Sequence, residues 1–383
     1  MSGYSHSSHS SHSSHSSHSD AMFEFAGLDA YAGFAATGML AEAMLRDREA
    51  LVGNLKSSIN TSSFKTWLAN PFPAPLDSPA NMARWAPHIR GHLCDFELLS
   101  SVAFTVSGTT ATLQTSDGRD VAIIEQPDIS AFKSQVDRVL DWAIVREDRT
   151  SEILTQVVPP IAYTTALFGL CEDRSKYAME LLAIAQRFAM FALMRFKHAF
   201  ACPRPHEYSP LIQPLLESPP FSTFPAGHAT ESFMFATVMR NLAAYTRGSE
   251  ADNQMQTLAG RIATNRVVAG LHFPIDNVAG RMLGETLGEY FVHLCQHTAT
   301  TAGNGWVKRK FKRSPAANAQ ADFDPLEPMD VDTWPSKTPV GYFEDNNASR
   351  IEKPAAAPPA SRALLSWLWG QAVDEMRAMG FRA

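Results

Sequence analysis

Apolar positions recur at helical spacing through most of the chain and alternate in one short region only. Ser175–Ala199 is the most apolar helical stretch, yet Lys176, Glu180, Arg187, Arg195 and Lys197 interrupt it. A bilayer span needs about 20 consecutive apolar residues, so this reads as a central buried helix, not a membrane segment. Phe188, Phe191 and Phe196 are expected in its core, and Pro203 and Pro205 stop it. Pro210 to Pro220 is a proline-rich loop of the kind that shapes a cleft. His228–Tyr245 resumes as a helix with Met234, Phe235, Val238 and Leu242 inward. Helices over Asp252–Ala269 and Asp276–Thr298 follow, separated by a short break at Gly270–Pro274.

Upstream, Met22–Leu55 predicts one or two helices, and the prolines and turn residues of 56–98 predict irregular cover for the core. Asp128 or Ser130 is placed to cap a helix through Trp142, and another spans Thr150–Phe168 with an interruption at Pro159-Pro160. Val102–Val106, Thr109–Thr115 and Val121–Glu125 are β-branched runs separated by Gly-containing turns, a hairpin signature too small to be the core. The fold class is therefore all-α, a helical bundle with one small β-hairpin. After Ala302, Lys308–Arg313 is basic and Pro, Asp and Ala dominate to Ala360. Ser361–Phe381 is an amphipathic helix with Leu364, Leu365, Leu368 and Met376 on one side. It is expected to dock on this domain or on a second copy of the chain in a homo-oligomer, with binding to a membrane surface as the alternative.

These patterns divide the chain into a disordered purification tag at 1–20, where Ser-His-Ser repeats, and a helical-bundle catalytic domain at 21–302. An extended Pro-rich surface segment at 303–360 and a C-terminal amphipathic helix at 361–383 complete it. The 383 residues carry a formal net charge of -6, which argues against a nucleic-acid partner. Cys94, Cys171, Cys202 and Cys295 are too scattered for a disulfide framework or a zinc site. His293 and His297 stand at i and i+4 without a third ligand and read as a polar helix face; His198 and His206 read as structural.

The chemistry concentrates between Lys197 and Asp276, in three clusters. The first is Lys197 with Arg204-Pro205, in the spacing K-x6-R-P; the second is Phe224-Pro225-Ala226-Gly227-His228. The third is Arg266-x5-His272-x3-Asp276. Three permanent cations suit a tetrahedral oxyanion, bidentate arginine especially. Gly227 at a loop-to-helix junction lets first-turn amides approach an anion. Two histidines remain for proton transfer or nucleophilic work. Asp276 is a candidate helix N-cap and, at helical spacing from His272, a candidate to orient its ring.

In order and spacing these clusters resemble the signature K-x6-R-P, P-S-G-H, S-R-x5-H-x3-D of the type 2 phosphatidic acid phosphatase and vanadium haloperoxidase superfamily. Pro219-Pro220-Phe221-Ser222-Thr223-Phe224-Pro225-Ala226-Gly227-His228-Ala229-Thr230 is similar to the corresponding stretch of vanadium chloroperoxidases. The resemblance implies the helical bundle of that superfamily and a vanadate cofactor, in a site that phosphate can also occupy. It makes His272 the ligand to the metal, with Lys197, Arg204, Arg266 and the Ala226-Gly227 segment on the oxygens. It makes His228 the acid–base group, gives Lys197 a catalytic role in polarising peroxide, and puts Phe221 in the halide pocket. Hydrogen peroxide, a halide and a small organic substrate are the implied partners. Ala226 stands where the family has Ser, a missing donor that costs an oxyanion about 1.5–3 kcal/mol. The alternatives are a metal-independent acid phosphatase working through a phosphohistidine, and a cofactor-free or non-catalytic anion-binding relative.

Overall fold

The computed structural model describes Arg46, residues 76–157, 160–297, 305–313, 322–324 and 363–382, and the backbone of 343–344 and 351–352. The expected tag at 1–20, the helices of Met22–Leu55 apart from Arg46, and most of 303–360 lie outside the described residues. Among the described residues helix makes up 64% and strand 9%, the expected mostly helical bundle with a small sheet.

Helix α1 (Pro87–Ser100) begins inside a stretch expected to be irregular. Pro87 occupies its first turn, where a missing N–H costs nothing because first-turn amides have no intrahelical partner. Strands β1 (Val102–Ser107), β2 (Thr110–Thr115) and β3 (Asp120–Glu125) form an antiparallel meander. Two short helices follow, α2 (Ile129–Ser134) and α3 (Val136–Trp142), then α4 (Arg146–Thr155) and α5 (Ile161–Phe168). The long α6 (Glu172–Phe200) is succeeded by the single turn α7 (Pro205–Tyr208). The last bundle helices are α8 (Gly227–Leu242), α9 (Glu250–Val268), α10 (Pro274–Gln296) and α11 (Ala363–Ala378).

The sheet is larger than a hairpin. Strand β4 (Trp306–Val307) pairs with β7 (Ile351–Glu352), while β5 (Arg309–Phe311) joins β3 in parallel and β6 (Phe343–Glu344) joins β5. Residues read as surface wrapping thus reach the interior: Trp306 and Phe311 are fully buried. The basic run conceals an alternation in which Arg309 and Phe311 face inward and Lys310 does not.

Helices α6, α8 and α10 are buried along most of their length. Two of the charges that interrupt α6 are paired: Arg90 of α1 forks onto Glu180 (2.6 Å), and Arg187 meets Asp95 (2.8 Å). Helix α6 is long and apolar enough to cross a membrane, but 72% of its most apolar window is buried inside the protein. Phe191, expected in the core, is instead about half exposed. Gly280, Gly284 and Gly288 form a stripe on α10 at intervals of four, where α8 comes closest. A Cβ at Gly284 would collide with the Thr230 carbonyl, and one at Gly280 would lie 2.6 Å from the Ala226 carbonyl. The two backbones could not approach so closely over any other residue.

Helix α11 docks on its own chain. Leu365, Leu368 and Met376 are buried, Glu97 of α1 accepts from the amides of Leu364 and Leu365, and Glu375 accepts from those of Tyr177 and Ala178. His293 and His297 do not make a polar face. Both are buried, and His293 packs beside Tyr290 and Trp306 and accepts from the Gly305 amide.

Candidate active site

Lys197 lies in the last turn of α6, which ends at Ala201 in the left-handed conformation. Its ammonium is buried and donates to the carbonyls of Ser222 (2.7 Å) and Thr223 (3.0 Å). Arg204, just before α7, is held by the same loop: Nε donates to the Phe221 carbonyl (3.0 Å) and Nη1 to that of Leu271 (3.0 Å). The loop 221–223 thus turns three carbonyls onto two cations. The Phe221 ring lies 5.4 Å from the ammonium and 5.3 Å from the guanidinium, with 40% of its surface exposed.

Arg266 and His272 are positioned by the end of α9. The Gly270 amide bonds to Val267 and the Leu271 amide to the Arg266 carbonyl, with Gly270 at φ 76°. This closing turn needs a left-handed residue and delivers the chain to His272. Arg266 is almost wholly buried; Nη2 donates to the Ile153 carbonyl (3.1 Å) and to Gln156 Oε1 (3.2 Å). Its Nε–H has no acceptor among the described residues.

His272 is buried between these groups. On one edge, Nε2 lies 3.3 Å from Arg204 Nη1, which can only donate. On the other, Nδ1 lies 3.0 Å from Asp276 Oδ2 and 3.1 Å from Thr223 Oγ1. Asp276 stands at the third position of α10, one turn inside the N-cap role considered for it. Its Oδ2 also accepts from the Phe273 amide (2.9 Å) and the Thr223 hydroxyl (2.5 Å). Burial, with Arg204, Lys197 and Arg266 adding to it, holds His272 well below the ordinary histidine range. All three cations therefore act on the one imidazole. Burial pushes Asp276 up to about 6, and it lowers Arg204 and Arg266 to about 10. Burial, then Arg204, brings Lys197 well below the usual ammonium range.

His228 opens α8, and its Nε2 is 2.9 Å from the Gln156 carbonyl. Gln156 thereby joins His228 to Arg266. No side chain caps α8, whose first-turn amides, Gly227 among them, lack intrahelical carbonyls. The backbone groups of Ala226, expected beside the oxyanion, both have partners within the protein. Its amide donates to the Asp276 carbonyl, its carbonyl accepts from Thr230, and its methyl lies among Ala229, Phe233 and Ala263.

Spacing along the chain did not mark Gln156, Thr223 or Ser222. Glu231, one turn beyond His228, was also missed; it is buried, and burial pushes it up to about 8 against the pull of Lys197.

Residues 177–300 match the family model described as PAP2 superfamily. Over 100 residues the chain is 27% identical to the vanadium-dependent bromoperoxidase of Ascophyllum nodosum. That match takes in 20% of this chain and 18% of the bromoperoxidase, so the chain spans under a fifth of that relative's length. Helical architecture, the ordered clusters and both matches support placing residues 177–300 with the superfamily of PAP2 phosphatases and vanadium haloperoxidases.

Proposed function

We propose that the chain is a vanadate-dependent haloperoxidase, which uses hydrogen peroxide to oxidise a halide that then halogenates a small organic substrate. The observation that most supports this is the burial of Lys197, Arg204 and Arg266 around His272, with Asp276 as the carboxylate against its ring.

The donor set fits a tetrahedral oxyanion. Arg266 Nε–H is a buried donor without an acceptor among the described residues, a deficit of about 1–3 kcal/mol that an anionic oxygen would offset. The uncapped first turn of α8 offers amides to the same kind of ligand. His272 Nε2 would bind vanadium, and Lys197, Arg204, Arg266 and the Gly227 amide would hold its oxygens. Bound vanadate supplies Lewis acidity toward peroxide without a change in oxidation state.

The chain's own residues set the protons. Asp276 Oδ2 accepts the hydrogen of His272 on Nδ1, which leaves the lone pair on Nε2. Burial and the cations keep that ring neutral. A carbonyl oxygen can only accept, so His228 carries its hydrogen on Nε2 toward Gln156 and holds its other lone pair on Nδ1, where it takes and returns a proton. An oxyanion beside Lys197 favours the charged ammonium. Phe221, beside two cations and open to solvent, is where halide would enter.

The match of residues 177–300 to the PAP2 description supports hydrolysis as the second reading. There His272 Nε2 attacks phosphorus, and the phosphorus–oxygen bond to the alcohol breaks as His228, protonated on Nδ1, gives that proton to the departing oxygen. Water that returns a proton to His228 then cleaves the phosphohistidine. Parallel assays separate the two. Vanadate-loaded protein is tested for peroxide- and halide-dependent halogenation of an activated carbon acid, and vanadate-free protein for hydrolysis of an aryl phosphate. Halogenation without hydrolysis is expected; hydrolysis that vanadate blocks would transfer the assignment to the phosphatases.

A further inference from the structure

We propose that Thr223 is a positioning residue, whose hydroxyl locks His272 in the one tautomer that leaves Nε2 able to bind or attack. Thr223 is fully buried and touches three groups of the site at once. Its Oγ1 donates to Asp276 Oδ2 at 2.5 Å; the alternative acceptor, the Leu271 carbonyl, is at 3.5 Å and uncharged. A hydroxyl has one hydrogen. With that hydrogen spent on Asp276, Oγ1 can face His272 Nδ1 at 3.1 Å only as an acceptor. The hydrogen on Nδ1 is then shared between two oxygens, Thr223 Oγ1 and Asp276 Oδ2 at 3.0 Å. The opposite edge agrees, because Arg204 Nη1 at 3.3 Å requires a lone pair on Nε2.

Thr223 also links the ring to the cations. Its carbonyl accepts from Lys197 at 3.0 Å, and the neighbouring Ser222 and Phe221 carbonyls hold Lys197 and Arg204. One residue therefore ties the loop under both cations to the first turn of α10, so the imidazole and the charges around it keep a common register. The inference rests on the proposed function only in taking Nε2 as the atom that meets the oxyanion.

Thr223→Val keeps the shape and removes the hydroxyl, and Thr223→Ser restores a hydroxyl. In protein labelled with 15N-histidine and free of oxyanion, wild type is expected to show His272 protonated on Nδ1. T223V should gain the Nε2-protonated form, and T223S should return to the wild-type pattern. Vanadate affinity should fall roughly 10–100-fold in T223V, the usual effect of removing a group that orients a ligand histidine. If T223V does not fold, Thr223→Ala carries the same comparison. An unchanged His272 tautomer together with unchanged vanadate affinity in the hydroxyl-free variant overturns the proposal. A wild type that binds neither vanadate nor phosphate overturns the proposed function instead, and the tautomer comparison still stands or falls alone.

Discussion

The backbone carbonyl of Gln156 lies 2.9 Å from Nε2 of His228 while the side chain of the same glutamine accepts from Arg266. One residue just past the end of α4 thereby connects the proposed acid–base group to a cation of the proposed oxyanion site. Gln156→Leu leaves the backbone contact and strands a buried guanidinium hydrogen, a loss of about 1–3 kcal/mol. Phosphate or vanadate affinity should fall about tenfold, measured by equilibrium dialysis, with the shape of the pH–rate profile retained. Unchanged affinity would show that Arg266 does not depend on this contact.

Asp276 sets the acid limit. Burial raises it to about 6, against the hydrogen bonds of Thr223 and Phe273 and the charges of Lys197 and Arg204. Protonated, it no longer accepts well from His272 Nδ1, so kcat/KM should decline as pH falls through about 6. His272, held well below its ordinary range, is already neutral in that window and adds no limb there. The stability contributions oppose each other. Asp276 binds its proton more tightly in the folded state, so its contribution falls as pH rises from about 4 to about 6. His272 binds its proton less tightly when folded, so its contribution is lost as pH drops below about 6.5. The rate profile is the cleaner test, and a flat profile from about pH 5 to 8 contradicts the assignment.

Binding of an oxyanion should stabilise the fold. Ligand at 100 times Kd contributes about 2.7 kcal/mol, worth several degrees in Tm at this size. Wild type should melt higher with phosphate or vanadate, and Arg266→Gln should lose most of the increment. An equal shift in both proteins would place the anion elsewhere.

Much of this site could be read from local spacing. Lys197 closes α6, Arg266 sits in the last turn of α9, and His272 follows the Gly270 turn, so each is fixed relative to a nearby helix end. Contacts that join separate elements could not be read that way. Gln156 lies 110 residues from Arg266, and no periodicity links them. Thr223 stands in the sequence only as one member of the Pro219–Thr230 stretch, because its partners, Asp276 and His272, are assembled only when α10 packs under the loop. Likewise Arg309–Phe311 becomes a strand only beside β3, and the fate of Ala226 is decided by apolar neighbours on α8 and α9.

The glycine stripe of α10 brings α8 and α10, and with them the turns bearing His228 and His272, into register. Gly284→Ala forces a methyl onto the Thr230 carbonyl and should cost about 1–3 kcal/mol, read as a lower Tm and weaker oxyanion binding. Gly370→Ala, where α11 has open space, should instead gain about 0.5–1 kcal/mol from helix propensity. Equal effects at the two sites would remove close helix approach as the cause.

The most direct test is a crystal structure of the protein grown with orthovanadate, using the anomalous signal of vanadium. The account predicts a single vanadium bonded to Nε2 of His272, its oxygens facing Lys197, Arg204 and Arg266. Vanadium bound away from His272, or no vanadium in wild-type crystals at saturating orthovanadate, would contradict it.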